Sequence, residues 1–273
     1  MDLTEILELA SSSDVGRCRR HNEDSSAIDP GLGLLIIADG MGGYRAGEVA
    51  SAVAISTIVQ HVRRRLPLLK PQQIDSSTGF SMESLLIRDA IREANYEVYR
   101  TAQDHARFEG MGTTILAVLF FDNHFTVAHV GDSRLYRMRD NQLEKITSDH
   151  SLIQELVDRG LYTMEEAAAR TPRNLVTRAL GINENVNVDI TEDTVLPDDL
   201  FLLCTDGLTD MVSDEGIHST LQTFNENLNR AAQELVDLAN KRGGKDNISV
   251  VLARPTAPFP ASKGWFDKIF STH

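Results

Sequence analysis

Runs of β-branched and aliphatic residues bounded by Gly, Asp or Asn recur along the chain. They predict strands at 34–38 (LLIIA), 113–121 (TTILAVLFF), 125–130 (FTVAHV), 134–139 (RLYRMR), 186–195 (VNVDITEDTV), 200–205 (LFLLCT) and 248–253 (ISVVLA). The connections FDNH (121–124), VGDS (130–133) and RDNQ (139–142) are too short for a helix, so they predict hairpins and a largely antiparallel sheet. Apolar residues recurring at three and four predict helices over 46–66, 81–106, 151–160 and 227–243. Helix therefore covers sheet in layers, in an α+β arrangement. Residues 67–80 read as a surface loop.

Two stretches stand apart from that pattern. Residues 148–181 interrupt the strands with short helical pieces, including MEEAAART ahead of Pro172, and read either as a helical insertion or as an ordinary connection. After Arg254 the chain turns Pro-rich, which places the end of the compact domain near residue 254 and leaves 255–273 as linker and tail. In KGWFDKIF, residues Trp265, Phe266, Ile269 and Phe270 share one helical face, suited to packing on the domain or to docking a partner.

A length of 273 residues with 41% hydrophobic content supports a sizeable core. The 40 acidic and 27 basic side chains leave a net charge of −13, which repels nucleic acid and anionic membrane surfaces. Two cysteines, Cys18 and Cys204, give no disulfide framework and fit a reducing compartment. The opening MDLTEILELA carries acids where a signal peptide would carry Lys or Arg, and no apolar run is long enough to span a membrane. A soluble cytoplasmic protein is expected.

The chemistry lies in where the acids fall. Asp39 follows LLIIA, Asp132 follows FTVAHVG, Asp206 follows LFLLCT, and Asp246 sits just ahead of ISVVLA. Any one Asp-Gly after a strand is ordinary turn chemistry. Four such positions, with Glu23 and Asp24 of NED, describe carboxylates that would repel one another unless cations sit among them. With oxygen donors alone and no His or Cys at zinc spacing, the fitting ions are Mg2+ or Mn2+. A pair of such ions lowers the pKa of a bound water and clamps phosphoryl oxygens, letting an acidic protein take an anionic substrate. Arg19 and Arg20, just before the acids, offer a bidentate fork for phosphate, or are two solvated surface residues.

Other chemistries fit less well. ADGMGGYRAGE (38–48) fails the dinucleotide glycine pattern and has Glu48-Val49 where a Walker loop needs Lys and Ser/Thr. GDSR (131–134) admits a serine-esterase nucleophile at Ser133, but no Asp-x-x-His partner appears near the C-terminus. A non-catalytic phosphoprotein-binding scaffold remains a further alternative, although all the acids are present.

Taken in order, GRCRRHNEDS, LLIIADGMGG, GMGTTI, VAHVGDSRLYR, TSDHS, LVTRALG, LLCTDGLTD and KDNISVVLAR resemble the metal-dependent protein phosphatase 2C (PPM) family in its short bacterial form. The resemblance runs from about Ser13 to Arg254. It implies a four-layer α-β-β-α sandwich of two antiparallel sheets, a catalytic domain over 1–254, and a flap over 148–181. By matching motif, Asp39 resembles the carboxylate bridging two catalytic metals, Gly40 a carbonyl ligand, and Asp206 and Asp246 direct ligands. Glu23 resembles an acid acting through water, with Asp24 and Asn247 in support. Asp132, Asp206 and Asp210 resemble a third metal site, and Arg19, four positions before Glu23, the residue that holds substrate phosphate. Many members have a histidine where this chain has Met41, which puts a histidine acid in doubt. The implied reaction is hydrolysis of phosphoserine and phosphothreonine in proteins by metal-bridging hydroxide. The implied partners are phosphoproteins and a bacterial Ser/Thr kinase, and the expected state is a monomer.

Overall fold

A computed structural model describes residues 2–259 apart from 44, 71, 173 and 174; the tail motif KGWFDKIF lies outside the described residues. The chain opens with β1 (Leu7–Asp14), β2 (Ser25–Asp29), β3 (Leu34–Ala38) and the short β4 (Gly40–Met41), then α1 (Ala46–Arg65) and α2 (Met82–Asp104). Next come β5 (Gly112–Thr113), β6 (Ile115–Phe121), β7 (His124–Val130), β8 (Arg134–Arg139), β9 (Gln142–Lys145), α3 (Leu152–Asp158) and α4 (Met164–Arg170). The last part is β10 (Asp189–Thr194), β11 (Leu200–Cys204), α5 (Asp206–Thr209), α6 (Asp214–Thr223), α7 (Leu228–Lys241) and β12 (Ile248–Pro255).

Two five-stranded antiparallel sheets result, ordered β1-β12-β11-β8-β9 and β10-β7-β6-β3-β2. Strand periodicity explains why their central strands are apolar throughout. Leu34, Ile36 and Ala38 face the layer of α1 and α2, while the alternate Leu35 and Ile37 face the opposite sheet. Between the sheets, Phe201 meets Phe120 and Phe125 edge to face at ring separations of 5.1 and 5.0 Å. On the outer side of the first sheet, Leu228, Ala232, Leu235 and Ala239 of α7 pack over Leu202, Val250 and Leu252. Helix, sheet, sheet and helix therefore stack as the four expected layers.

The differences from sequence are local. The expected strand 113–121 is broken at Thr114, and the strand expected over 186–195 spans only Asp189–Thr194. Strands β1, β2 and β9 and helix α6 have no counterpart in the apolar pattern. Each sheet strand that the pattern missed lies at a sheet edge, where fewer positions need an apolar side chain. Within 148–181, α3 and α4 pack on each other.

Candidate metal centre

Three chain segments meet where β3 and β11 end and β12 begins. Asp39 leaves β3 and is fixed from both sides of its peptide: its N–H donates to Thr114 Oγ1 (3.0 Å) and its carbonyl accepts from Thr114 N–H (2.8 Å). The break in the expected 113–121 strand serves this contact. Gly40 then runs against the backbone of Gly47 and Glu23 so closely that a Cβ would overlap their carbonyl oxygens. Only glycine lets the chain pass here.

Asn247 ties the second segment to the first. Its Oδ1 accepts from Glu23 N–H at 2.8 Å, while its Nδ2 donates to the carbonyls of Val15 and His21, both at 2.9 Å. The Arg19–Glu23 loop is thereby pinned to the start of β12. Gly207, in the first turn of α5, abuts the Asn247 carbonyl and brings Asp206 beside Asp246. Asp132 enters from VGDS (130–133), which is not the hairpin expected from its length but the turn that carries the chain from β7 in one sheet to β8 in the other; there the neighbouring Ser133 and Thr114 hydroxyls hydrogen-bond at 2.8 Å.

The electrostatics show that the acids face one another. Burial, then the charges of Asp24, Asp206 and Asp132, hold Asp39 well above the usual carboxylate range. Burial first, with Asp206 and Asp246 adding, pushes Asp24 up to about 7 against the opposing hydrogen bonds of Ser249 and Thr205. Asp132 is likewise pushed up to about 7 by burial and then by Asp206 and Asp149, and Asp206 to about 6 by burial and then by Asp210 and Asp246. Burial also raises Glu23.

Among the described residues, two buried oxygens, Asp24 Oδ1 and Asp206 Oδ1, find no N–H or hydroxyl donor. Among the described residues no three His, Cys, Asp or Glu side chains are already closed around one point. Oxygen-only donors, mutual repulsion and uncompensated lone pairs fit divalent cations, the hard ions that such a donor set takes. Arg19 stands at the rim, its Nη2 donating to Asp246 Oδ2 at 2.7 Å with the side chain half exposed. That hydrogen bond, with the nearby charges of Asp246, Asp39 and Glu23 adding, raises its pKa further. Among the described residues Arg20 makes no such contact, which separates the two arginines that spacing left equivalent.

A model of the protein phosphatase 2C family matches residues 18–241. The chain belongs to the protein phosphatase 2C family. It is 39% identical over 251 residues to the serine/threonine protein phosphatase PstP of Mycobacterium tuberculosis, an overlap of 92% of this chain and 45% of that protein. The chain thus spans about half the length of that relative. It is 35% identical over 243 residues to the serine/threonine phosphatase stp of Listeria welshimeri, covering 88% of this chain and 92% of the relative. Among solved structures, it resembles the catalytic domain of PstP in complex with two manganese ions, with a TM-score of 0.78 and 36% identity over 91% of this chain and 98% of that one.

Protein phosphatase 2C enzymes are metal-dependent. In this member of the family the strand-end acids Asp39, Asp132, Asp206 and Asp246 lie in one neighbourhood with Glu23, Asp24 and Asn247. Asp210 joins them one helical turn beyond Asp206, its N–H donating to the Asp206 carbonyl at 2.8 Å, and it lines a cavity with Asp132 and Asp206. The serine-esterase alternative has no support: Ser133 is buried, its hydroxyl is engaged by Thr114, and no imidazole hydrogen-bonds it among the described residues. The scaffold alternative is likewise unsupported. Met41 pairs with Gly112 in the β4–β5 ribbon and offers no proton.

Sequence reasoning gave no role to Thr114 and Thr205. Thr205 Oγ1 donates to Asp24 Oδ2 at 3.0 Å and accepts from Ser249 N–H at 3.1 Å. Both threonines sit next to or inside apolar runs and read there as ordinary strand residues. The one signal available was that Thr205 immediately precedes Asp206.

Proposed function

We propose that the chain hydrolyses phosphoserine and phosphothreonine in proteins. The observation that carries this reading is the set of buried, mutually repelling carboxylates at converging strand ends with Arg19 held at the rim. Asp39, Asp206, Asp246, Glu23 and the Gly40 carbonyl hold two catalytic ions, Mn2+ or Mg2+, and Asp132, Asp206 and Asp210 hold a third. When bound, such ions supply an activated water and neutralise the phosphoryl oxygens.

The chain's own part is orientation. Arg19, braced by Asp246, presents the rest of its guanidinium to the phosphate oxygens. Asn247 keeps the Arg19–Glu23 loop in register with Asp246, and Asp24 supports the floor through Thr205. No side chain replaces water as nucleophile: Ser133 is engaged, and burial pushes the Cys204 thiol up to about 12. With Met41 beside the site, the leaving serine or threonine oxygen takes its proton from solvent or water in the site. The α3–α4 insertion flanks the acids through Ile153, Gln154, Met164 and Ala168 and acts as a flap over them. Phosphoproteins, and the Ser/Thr kinase that makes them, are the partners, and a monomer in the cytoplasm is the working state. Among the described residues no helix is long and apolar enough to cross a membrane.

Phosphate release from a phosphothreonine peptide with Mn2+ tests the reading. Activity is expected to vanish with EDTA and in Asp206→Ala. Activity that survives either treatment overturns it.

A further inference from the structure

We propose that Arg20, His21 and Arg45 form a second anion subsite, which takes an acidic or phosphorylated residue neighbouring the target phosphoresidue of the substrate. The inference rests on the phosphatase reading above and adds a preference to it.

A cavity of about 440 Å³ opens beside Arg19, lined by Arg19, Arg20, His21, Glu23, Arg45 and Asn247. Arg19 also borders a second cavity of about 420 Å³ on its other side, with Pro172, Met211, Lys245 and Asp246. A peptide whose phosphate meets Arg19 therefore lays neighbouring residues into both. The two flanks differ in charge. The second sets Lys245 against Asp210 and Asp246. The first gathers three arginines and a histidine with Glu23 as the one acid in its lining, Arg19 being braced by Asp246 from outside it, in a chain whose net charge is −13.

These cations are not consumed by the fold. Among the described residues Arg20 forms no ion pair and no side-chain hydrogen bond. Arg45 is 62% exposed, and its nearest carboxylate, Glu48, stands 4.0 Å away. Its Nη2 donates to His21 Nδ1 at 3.4 Å, which steers the guanidinium toward the cavity and leaves its other N–H groups available. Arg45 also holds a left-handed backbone, φ 67°, at the N-cap of the 20-residue α1. A residue with a Cβ adopts that conformation only at a cost in strain, and such strain gathers at ligand clamps. The positive end of α1 adds to the same field.

The test compares kcat/KM with Mn2+ for three phosphothreonine peptides. One has neutral flanks, one has Glu on both sides, and one has non-hydrolysable phosphonate residues there. The anionic flanks are expected to raise kcat/KM about three- to tenfold, the range of partly exposed charge-assisted contacts, and added salt to shrink the gain. The Arg20→Ala/Arg45→Ala variant is expected to lose the gain while cleaving the neutral peptide at the unaltered rate. A gain that persists in the variant, or a variant that slows all three peptides alike, overturns the subsite. Anisotropy of fluorescent versions carrying phosphonate in place of the target phosphothreonine reads the same preference without turnover. If no peptide is cleaved yet the variant abolishes the binding preference, hydrolysis fails and the subsite stands; no preference in binding or in rate refutes the subsite alone.

Discussion

Gly207 shows how tightly one residue is bound to the site. A Cβ there would overlap the Asn247 carbonyl oxygen, a backbone atom that cannot swing aside. Gly207→Ala must therefore push α5 away from the start of β12 and separate Asp206 from Asp246. A loss of about 1–3 kcal/mol is expected from the overlap, read as a shift in the urea midpoint, together with weaker Mn2+ binding by calorimetry. Gly43→Ala is the control, because nothing lies within 4 Å of its added Cβ, and it should leave both measurements unchanged. Sequence showed Asp206 and Asp246 readily, since a carboxylate after or before an apolar run is visible without a fold. It could not show that Gly207 and Asn247 touch, or that Thr114 and Thr205 grip Asp39 and Asp24, because those contacts join segments far apart in the chain. Arg19 and Arg20 make the same point: adjacent and alike in sequence, they differ only in which one the folded loop turns toward Asp246.

At the scale of elements, legibility followed burial on two faces. LLIIA, LFLLCT and ISVVLA were plain because each is packed on both sides. LELASSSD was not, although β1 pairs with β12 over the full length from Leu7↔Pro255 to Asp14↔Ile248. Its Ser11–Ser13 positions are stabilised by the ladder and by the Ser13–Ser249 hydroxyl contact at 2.8 Å, not by apolar burial, so the period-two signal is faint. The insertion is the opposite case, in which local chemistry marks a short helix that buries little. Thr163 and Glu166 form a reciprocal capping box at the start of α4, where only Ala167 is buried. Thr163→Ala is expected to cost about 1 kcal/mol locally. Hydrogen exchange should therefore quicken about fivefold over 164–170 while the global thermal midpoint stays put. An unchanged exchange rate there would mean that packing against α3, and not the cap, holds the helix.

For the molecule as a whole, the acid cluster makes stability depend on pH and on cations together. In metal-free protein Asp24 and Asp132 are pushed up to about 7 and Asp206 to about 6, against about 3.9 for an unfolded aspartate. Between those limits the folded state holds protons that the unfolded state has released, so these groups favour folding at low pH and lose that contribution as pH rises through 7. His150, pushed down to about 4 by burial and by His129 and Arg178, and His129, lowered mainly by burial, act with the opposite sign. Their contribution is lost as pH falls through the unfolded value of about 6.5, and it levels off about one pH unit above that value. From pH 6.5 to 8 the carboxylates outweigh that fading histidine contribution. The thermal midpoint of chelated protein is expected to fall across that window, and Mn2+ to raise it by an amount that grows with pH, since cations take the place of the departing protons. Asp132→Asn removes one of the titrating acids and should flatten the fall in chelated protein. A midpoint that stays level or rises from pH 6.5 to 8 in EDTA, with Mn2+ adding the same increment at each pH, would show that these carboxylates do not confront one another and that no cation is needed among them.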